Sequence, residues 1–222
     1  MSQRRLVVGI SGASGVAYGI RLLQLLRNAG VETHLVVSRT AEVTFAYETT
    51  LKAAEVKALA NHVHPIDDMA GSISSGSFRT AGMIVAPCSM RSMSEIASGV
   101  TTTLLTRAAD VTLKERRRLV LMVRETPLHT GHLRTMTALS EMGAVIAPPV
   151  PAFYAKPETL NDMIDHTVGR VLDLFDIDVG LVQRWGEQPE LRSRPSERGR
   201  PFAERASPAS AGPLSLGKGN AP

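Results

Sequence analysis

The sequence predicts a three-layer α/β fold, in which helices cover both faces of a doubly wound, mainly parallel sheet. Short apolar runs of strand length alternate with longer stretches of helical periodicity, which is typical of repeated βα units. The chain has 222 residues, of which 43% are hydrophobic and 21% charged, and this suffices for one domain with a substantial core. We therefore expect a single folded domain over residues 1–185.

The alternation predicts five strands and seven helices. The expected strands are residues 6–10, 33–37, 83–86, 119–123 and 144–147. The expected helices are residues 16–28, 39–46, 52–60, 92–98, 104–116, 131–142 and 157–175. Because open α/β sheets bind ligands at the carboxyl ends of their strands, the segments that leave those ends are the candidates for a functional site.

The composition changes after Trp185. Residues 186–222 contain six of the 13 prolines, many Ser, Gly and Arg residues, and no apolar period. Such a segment buries too little apolar surface to offset the entropy of ordering. We predict a disordered tail that carries no catalysis.

Charge and cysteine content exclude several classes of protein. The formal net charge is +4 and aromatic residues make up 4% of the chain, with no dense stripe of Lys and Arg interleaved with aromatics, so no nucleic-acid partner is expected. A single cysteine, Cys88, excludes an internal disulfide and a thiolate cluster for zinc. Since the apolar runs are too short for a signal peptide or a membrane span, we expect a cytoplasmic protein without a membrane partner.

The turn at residues 9–15, Gly-Ile-Ser-Gly-Ala-Ser-Gly, connects the first strand to the first helix. Free N–H groups and the helix dipole favour an anion at such a helix N-terminus. The hydroxyls of Ser11 and Ser14 can add donors or cap the helix. The turn therefore predicts a phosphate site, although a tight turn without a ligand would use the same small residues.

The spacing of the glycines argues against NAD. A dinucleotide fingerprint has the pattern G-x-G-x-x-G and an acidic residue about twenty positions later. Here glycines stand at positions 9, 12, 15 and 19, and Ser38-Arg39 follows the second strand. A mononucleotide with Ser38 near the ligand fits more simply, while a 2′-phosphate bound by Arg39 remains open.

Polar residues also follow the later strands. Ser89 is placed to cap a helix or bind a ligand, and the proline-rich residues 148–154 would hold an aromatic hydroxyl in a fixed place. Arg124 can bind a phosphate and Glu125 can act as an acid or base, unless the two form only a surface ion pair. The agreement of several strand ends favours a functional site.

Other residues receive simpler interpretations. Lys114 opens a charge run, 114–118, at a helix C-terminus, where cations stabilise the dipole, although one member could bind a phosphate. Cys88 at a strand end is expected to be inert. The serine-rich residues 72–77 could line a site or be mobile. No metal is predicted, and four histidines are expected to be exposed or capping: His62, His64, His129 and His132.

Eight segments together resemble the flavin prenyltransferases of the UbiX family. They are residues 9–15 (GISGASG), 48–49 (ET), 72–77 (SISSGS), 87–89 (PCS), 105–110 (LTRAAD), 113–116 (LKER), 124–128 (RETPL) and 148–154 (PPVPAFY). The likeness covers about residues 5–185. It implies a Rossmann-like fold of flavoprotein type.

The resemblance also implies an activity. The enzyme would be a metal-independent prenyltransferase that moves a dimethylallyl group from dimethylallyl monophosphate to reduced FMN. The prenylated FMN would serve a partner decarboxylase. The site would be shared between subunits of a homo-oligomer, a dodecamer.

Roles for individual residues follow from the same resemblance. The FMN contacts would be Gly12, Ala13, Ser14, Ser38, Ser89, Met90, Arg91, Ser92 and Arg124. The prenyl phosphate contacts would be Lys114, Arg124, Glu125, Tyr154 and Arg170, with Trp185 bordering the dimethylallyl cation. The catalytic residues, for phosphate departure and proton transfer, would be Ser14, Glu48, Lys114 and Glu125.

Two other functions stay open on the sequence. One is a noncatalytic FMN carrier or accessory subunit of an aromatic-acid decarboxylase, which would need no prenyl-phosphate pocket. The other is a flavin-dependent decarboxylase of peptidyl cysteine, which normally carries a catalytic histidine and an Asn-rich loop. Residues 87–89, Pro-Cys-Ser, differ from that loop.

Overall fold

The sheet has six parallel strands in the order β3-β2-β1-β4-β5-β6. A computed structural model describes residues 4–186 of the chain. The strands are β1 (Arg5–Ile10), β2 (Glu32–Val37), β3 (His62–His64), β4 (Gly82–Cys88), β5 (Arg118–Val123) and β6 (Val145–Ile146). The helices are α1 (Val16–Asn28), α2 (Arg39–Glu48), α3 (Ala53–Lys57), α4 (Met90–Ser98), α5 (Leu104–Lys114), α6 (Thr130–Glu141) and α7 (Leu160–Asp173). The predicted α/β class is confirmed.

Both faces of the sheet are covered. One core packs α1 and α7 against the sheet through side chains such as Leu22 and Val168, and the other packs α4 and α5 through side chains such as Met93 and Leu105. All seven residues of β4 are buried. Two-sided burial explains why the strands are continuous apolar runs instead of alternating ones.

Strand β3 was missed by the sequence analysis. Its three residues, His-Val-His, pair with β2 at the sheet edge in the register His34↔His62 and Val36↔His64. A short strand with polar side chains carries no apolar signal, so only the pairing with β2 reveals it. His62 is exposed, as expected. His64 was also expected to be exposed or capping, but it is half-buried and its Nε2 lies 3.0 Å from His34 Nδ1, because β3 pairs with β2.

The strand order reverses next to β1. The chain builds β1, β2 and β3 on one side and then crosses to β4 on the other side of β1. Such a reversal opens a crevice at the carboxyl ends of the two central strands. Here the buried Ser11 links the segment after β1 to the end of β4, because its Oγ donates to Pro87 O at 2.8 Å and accepts from Ser89 N at 2.7 Å.

The sheet and its helices belong to Met1–Gln183, and the segment that starts at Arg184 forms a separate unit described only as far as Gly186. The predicted disordered tail lies, from Glu187 onward, outside the described residues. Within residues 4–186, no helix combines the length and the apolar character that crossing a bilayer requires.

Candidate active site

The N-terminus of α1 holds a carboxylate of the chain itself. Gly15 is the N-cap residue with φ of 100°, and Glu48 Oε2 accepts hydrogen bonds from Gly15 N at 2.8 Å and Val16 N at 3.1 Å. The Ser14 side chain also hydrogen-bonds to Glu48. The anion that the turn was predicted to attract is therefore, in this structure, the side chain at the end of α2.

The surroundings of Glu48 keep it ionised. Partial burial by itself would raise its pKa, but the hydrogen bonds from Ser14, Gly15 and Val16 and the charge of Arg124 outweigh burial, so the pKa lies below its ordinary value. At neutral pH the side chain is a proton acceptor. Its attachment to the α1 dipole also fixes its position.

Arg124 lies just beyond β5 at the same edge of the sheet. Its backbone N–H donates to Cys88 O at 3.1 Å, and its positive charge opposes the rise in pKa that burial causes at Tyr18. Among residues 4–186, no carboxylate forms an ion pair with the Arg124 guanidinium. Glu125 Oε1 instead accepts from Thr126 N at 3.0 Å, so the alternative of an Arg124–Glu125 ion pair is not what the structure shows.

A cleft of about 210 Å³ opens beside this edge, between the ends of β1, β2 and β4. It is lined by Gly12, Ser38, Arg39, Thr40, Ile66, Asp67, Ser89, Arg91, Ser92, Glu95, Thr103 and Leu105. Five of the predicted FMN contacts are in that set. The remaining ones, Ala13, Ser14, Met90 and Arg124, adjoin it along the chain or lie at the same edge of the sheet.

Two helices begin at the cleft. Ser38 Oγ accepts from Ala41 N at 3.1 Å and Ser89 Oγ accepts from Ser92 N at 3.3 Å, so both serines are N-caps, as expected for Ser89. The first-turn N–H groups of a helix have no partner within the helix and favour an anion. The cleft therefore offers two helix N-termini, those of α2 and α4, in addition to its hydroxyls.

Gly12 is required for the shape of the cleft. A Cβ atom at this position would lie 2.4 Å from Thr40 Cβ, in the first turn of α2. Real Cβ atoms do not approach so closely, so a larger residue would push α2 away from the turn. The turn and α2 are thus packed as closely as their backbones allow.

Two other predicted residues, Lys114 and Arg170, lie elsewhere in the single chain. Lys114 and Arg170 stand in the last turns of α5 and α7, and each pairs with a neighbouring carboxylate, Glu115 at 2.5 Å and Asp173 at 2.7 Å. Lys114 precedes β5 and Arg124 follows it, which places them roughly 20 Å apart across a six-residue strand. One chain therefore does not bring Lys114 to Arg124.

Tyr154 contacts α7. Its hydroxyl lies 3.2 Å from His166 Nε2, and the two rings meet edge to face. Trp185 belongs to the unit that starts at Arg184, so its predicted place beside the site stays a prediction.

Two simpler interpretations are confirmed. Complete burial raises the pKa of Cys88 to about 12, so its thiol is inert. His129 caps α6, because its Nδ1 accepts from Gly131 N at 3.1 Å. The serine-rich residues 72–77 are not among the residues that line the cleft. Arg107 of α5 donates to Ser74 O at 3.2 Å, and Arg117, which follows α5, donates to Gly76 O at 2.6 Å.

The sequence analysis missed part of the cleft lining. Thr40 and Asp67 line the cleft together with Gly12 and Ser89, and Asp67 binds Arg39 at 2.6 Å. This ion pair occupies the arginine that could have bound a 2′-phosphate. Asp67 follows the unpredicted strand β3, so nothing in the sequence marked it as a residue at a strand end, whereas Thr103 carries the ordinary signal of a helix N-cap.

Fold and site together define a flavoprotein, and the family model described as "Flavoprotein" matches residues 1–172. Flavin prenyltransferase UbiX of Thauera aromatica is 58% identical over 189 residues, which are 84% of this chain and 97% of that protein. A crystal structure of AnUbiX (PadA1) in complex with FMN and dimethylallyl pyrophosphate matches with a TM-score of 0.82 and 55% identity, covering 84% of this chain and 99% of that one.

A second solved structure, a dodecameric FMN-dependent UbiX-like decarboxylase from Escherichia coli O157:H7, matches with a TM-score of 0.80 and 52% identity. It covers 82% of this chain and 98% of its own. The chain belongs to the UbiX flavin prenyltransferases within the flavoprotein family.

Proposed function

We propose that the protein is a flavin prenyltransferase that transfers a dimethylallyl group from dimethylallyl monophosphate to reduced FMN, and so provides prenylated FMN for a partner decarboxylase. The observation that carries the proposal is the Ser14–Glu48 pair at the N-terminus of α1, beside an arginine without an ion-pair partner among the described residues, Arg124. An FMN carrier has no use for such a pair. The similarity to relatives of this activity supports the same conclusion.

The cleft suits FMN as the acceptor. Its donors are serine hydroxyls and two helix N-termini, which match the phosphate and polar edge of a flavin mononucleotide. Bound in its reduced form, FMN supplies the electron-rich ring that receives the dimethylallyl group. In this proposal residues 12–14, 38, 89–92 and 124 hold it against the carboxyl edge of the sheet.

Positive side chains take the departing phosphate. When the allylic C–O bond breaks, negative charge grows on the phosphate, and fixed cations stabilise it most where water is excluded. Arg124 is free of ion pairs among the described residues and is suited to bind two phosphate oxygens. Lys114 and Arg170 add charge, the Tyr154 hydroxyl donates a hydrogen bond to the phosphate, and Glu125 accepts one from a phosphate oxygen that carries a proton.

Glu48 removes a proton through Ser14. Because its pKa is lowered, Glu48 is ionised and accepts the Ser14 hydroxyl hydrogen bond. In this proposal the Ser14 oxygen accepts the proton released when the flavin is alkylated and passes its own proton to Glu48. This assigns Glu48 the role of base and leaves the protonation of phosphate to other groups, such as Lys114.

The complete site requires neighbouring copies of the chain. Lys114 and Arg170 lie toward the amino end of the sheet, away from Arg124 in the same chain. Assembly into a closed oligomer can bring the amino-end residues of one copy to the carboxyl edge of another. We infer a dodecamer, with Trp185 bordering the dimethylallyl cation and residues 1–185 as the folded domain.

The proposed setting is the cytoplasm, and no metal takes part in the reaction. The reducing conditions of the cytoplasm suit a protein whose single cysteine, Cys88, is a buried thiol.

The test is an anaerobic reaction of purified protein with reduced FMN and dimethylallyl monophosphate. We expect the mass of the flavin to increase by one isoprene unit, with Glu48→Gln giving bound but unmodified FMN. Wild-type protein that binds FMN without any mass increase would identify a carrier. Release of carbon dioxide from a peptide ending in cysteine would identify a peptidyl-cysteine decarboxylase.

A further inference from the structure

A group of histidines and a glutamate lies away from the candidate active site, where β2 meets the edge strand β3. Glu32 begins β2, His34 is its third residue, and His62 is the β3 residue paired with His34. The strands are parallel, so this cluster lies toward their amino ends, whereas the cleft lies at the carboxyl ends. The proposed prenyl transfer uses none of the three.

The three side chains present nitrogen and oxygen atoms at short mutual distances. Glu32 Oε1 lies 3.0 Å from His34 Nε2 and 3.4 Å from His62 Nε2, and all three atoms lie within 4.8 Å of one another. Tetrahedral zinc with bonds of about 2.0–2.1 Å holds neighbouring ligand atoms roughly 3.4 Å apart. The two distances from Glu32, 3.0 and 3.4 Å, are close to that requirement.

The buried ligand is already oriented by a further histidine. His34 Nδ1 lies 3.0 Å from His64 Nε2, and His34 Nε2 donates to Glu32 Oε1 at 3.0 Å, because a carboxylate only accepts. When an ion replaces the proton on Nε2, Nδ1 can carry the ring proton and donate it to His64. Metal-binding histidines normally donate their other N–H in this way. Phe78 packs edge-on against His34 and limits its rotation.

Two features of the cluster oppose the binding of a metal ion. Arg5 Nε contacts both Glu32 oxygens at 3.1 and 3.0 Å, so an ion on Oε1 would share the carboxylate with a cation that repels it. The rings of His34 and His62 are stacked at 4.6 Å, so His62 must turn its nitrogen toward the ion. Its side chain is 54% exposed and has room to do so.

We propose that Glu32, His34 and His62 form a zinc site that fastens the edge strand β3 to β2. Two imidazoles and one carboxylate are a donor set that zinc accepts, with water in the fourth position on the exposed side of His62. No metal was predicted from the sequence, because no carboxylate-histidine helix motif accompanies His62. His34 and Glu32 come close to His62 only through the pairing of β2 with the unpredicted strand β3.

The test measures Zn²⁺ binding to protein that carries no histidine tag and has been cleared of metal with a chelator. Isothermal titration is expected to show one Zn²⁺ per chain, no comparable binding of Mg²⁺, and a rise in melting temperature with Zn²⁺. His62→Gln, at an exposed position, should weaken binding by more than 100-fold. His64→Gln, which removes the partner of His34, should weaken it by about 10–100-fold.

Two further variants separate this site from adventitious binding. His132→Gln removes a histidine on α6 outside the cluster and should leave Zn²⁺ affinity unchanged. Arg5→Gln removes the repelling cation and should raise the affinity. Wild-type protein without a one-to-one site, or His62→Gln protein that binds Zn²⁺ as tightly as wild type, would overturn the proposal.

Discussion

Glu48 shows how one residue acquires a role from its surroundings. Its carboxylate binds the two first N–H groups of α1 and the Ser14 hydroxyl, and Arg124 adds a positive charge nearby. These contacts fix an ionised acceptor next to the cleft. A glutamine at the same place would keep the shape and one hydrogen-bond acceptor but lose the charge.

Replacing Glu48 with glutamine is expected to slow prenyl transfer by about 100-fold or more, because general bases contribute roughly 10²–10⁴-fold to rates. FMN affinity should stay the same, since Glu48 does not line the FMN cleft. Single-turnover mass spectrometry of the flavin measures the rate. Glu42→Gln, on the same helix and paired with Lys57 at the surface, is the matched control and should retain full activity.

The Glu48→Gln variant also tests how the free energy of unfolding depends on pH. The folded pKa of Glu48 is below its ordinary value of 4.5, so its ionised form stabilises the fold above that pH, and the stabilisation is lost as pH falls through the folded pKa. Urea unfolding should therefore show wild type more stable than Glu48→Gln at pH 7, with the gap closing in acid. A gap that does not narrow at all as the pH falls below 4.5 would contradict the assigned ionisation.

At the scale of elements, the cleft depends on how three helices begin. α1 starts at Gly15 in a left-handed conformation, while α2 and α4 start at the serine caps Ser38 and Ser89. Serine caps are each worth about 1 kcal/mol. The close approach of Gly12 to Thr40 then sets the distance between the turn and α2.

Gly12→Ala is expected to lower the free energy of unfolding by about 1–3 kcal/mol and to weaken FMN binding, because the new Cβ would stand 2.4 Å from Thr40 Cβ and displace α2. Denaturant unfolding and fluorescence titration with FMN measure the two effects. Gly9→Ala is the comparison, because its nearest neighbour would be the flexible tip of Met83 at 3.1 Å. Equal FMN affinity in both variants would contradict the role of Gly12.

At the scale of the whole molecule, the predicted site residues fall into separate groups. Ser14, Glu48 and Arg124 lie at the carboxyl edge of the sheet, whereas Lys114 and Arg170 end helices that run the other way. A shared site resolves this separation if one copy supplies the edge and another supplies the helix ends. The dodecameric relative shows that this fold assembles into a closed oligomer.

Sharing predicts that two inactive variants restore each other. When Glu48→Gln and Lys114→Ala chains are co-expressed and assemble at random, about a quarter of the sites should contain both wild-type residues and regain activity. Flavin mass increase per chain measures the recovery. Co-expressed Glu48→Gln and Arg124→Ala chains are the control: both are altered at the same edge, so they should recover no activity. If the first pair also recovers no activity, Lys114 acts in the site of its own chain.

The amino-acid sequence by itself determined the α/β class, five of the six strands and the strand ends that surround the cleft, because two-sided burial requires continuous apolar runs and ligand turns require small residues. For that reason, Gly12 and Ser89 could be identified from the sequence as candidate site residues. The roles of Cys88 and His129 also followed from local chemistry.

Only the tertiary structure decided which groups meet. Glu48 reaches the N-terminus of α1, and His62 reaches Glu32 and His34, although these residues are far apart in the sequence. Lys114 and Arg124, which the family motifs assign to one site, are separated in the single chain. Strand β3 was hidden because three residues at a sheet edge derive their conformation from pairing with β2 and not from their own apolar pattern. Hydrogen bonding and packing between distant segments set these positions, and neither leaves a local signal in the sequence.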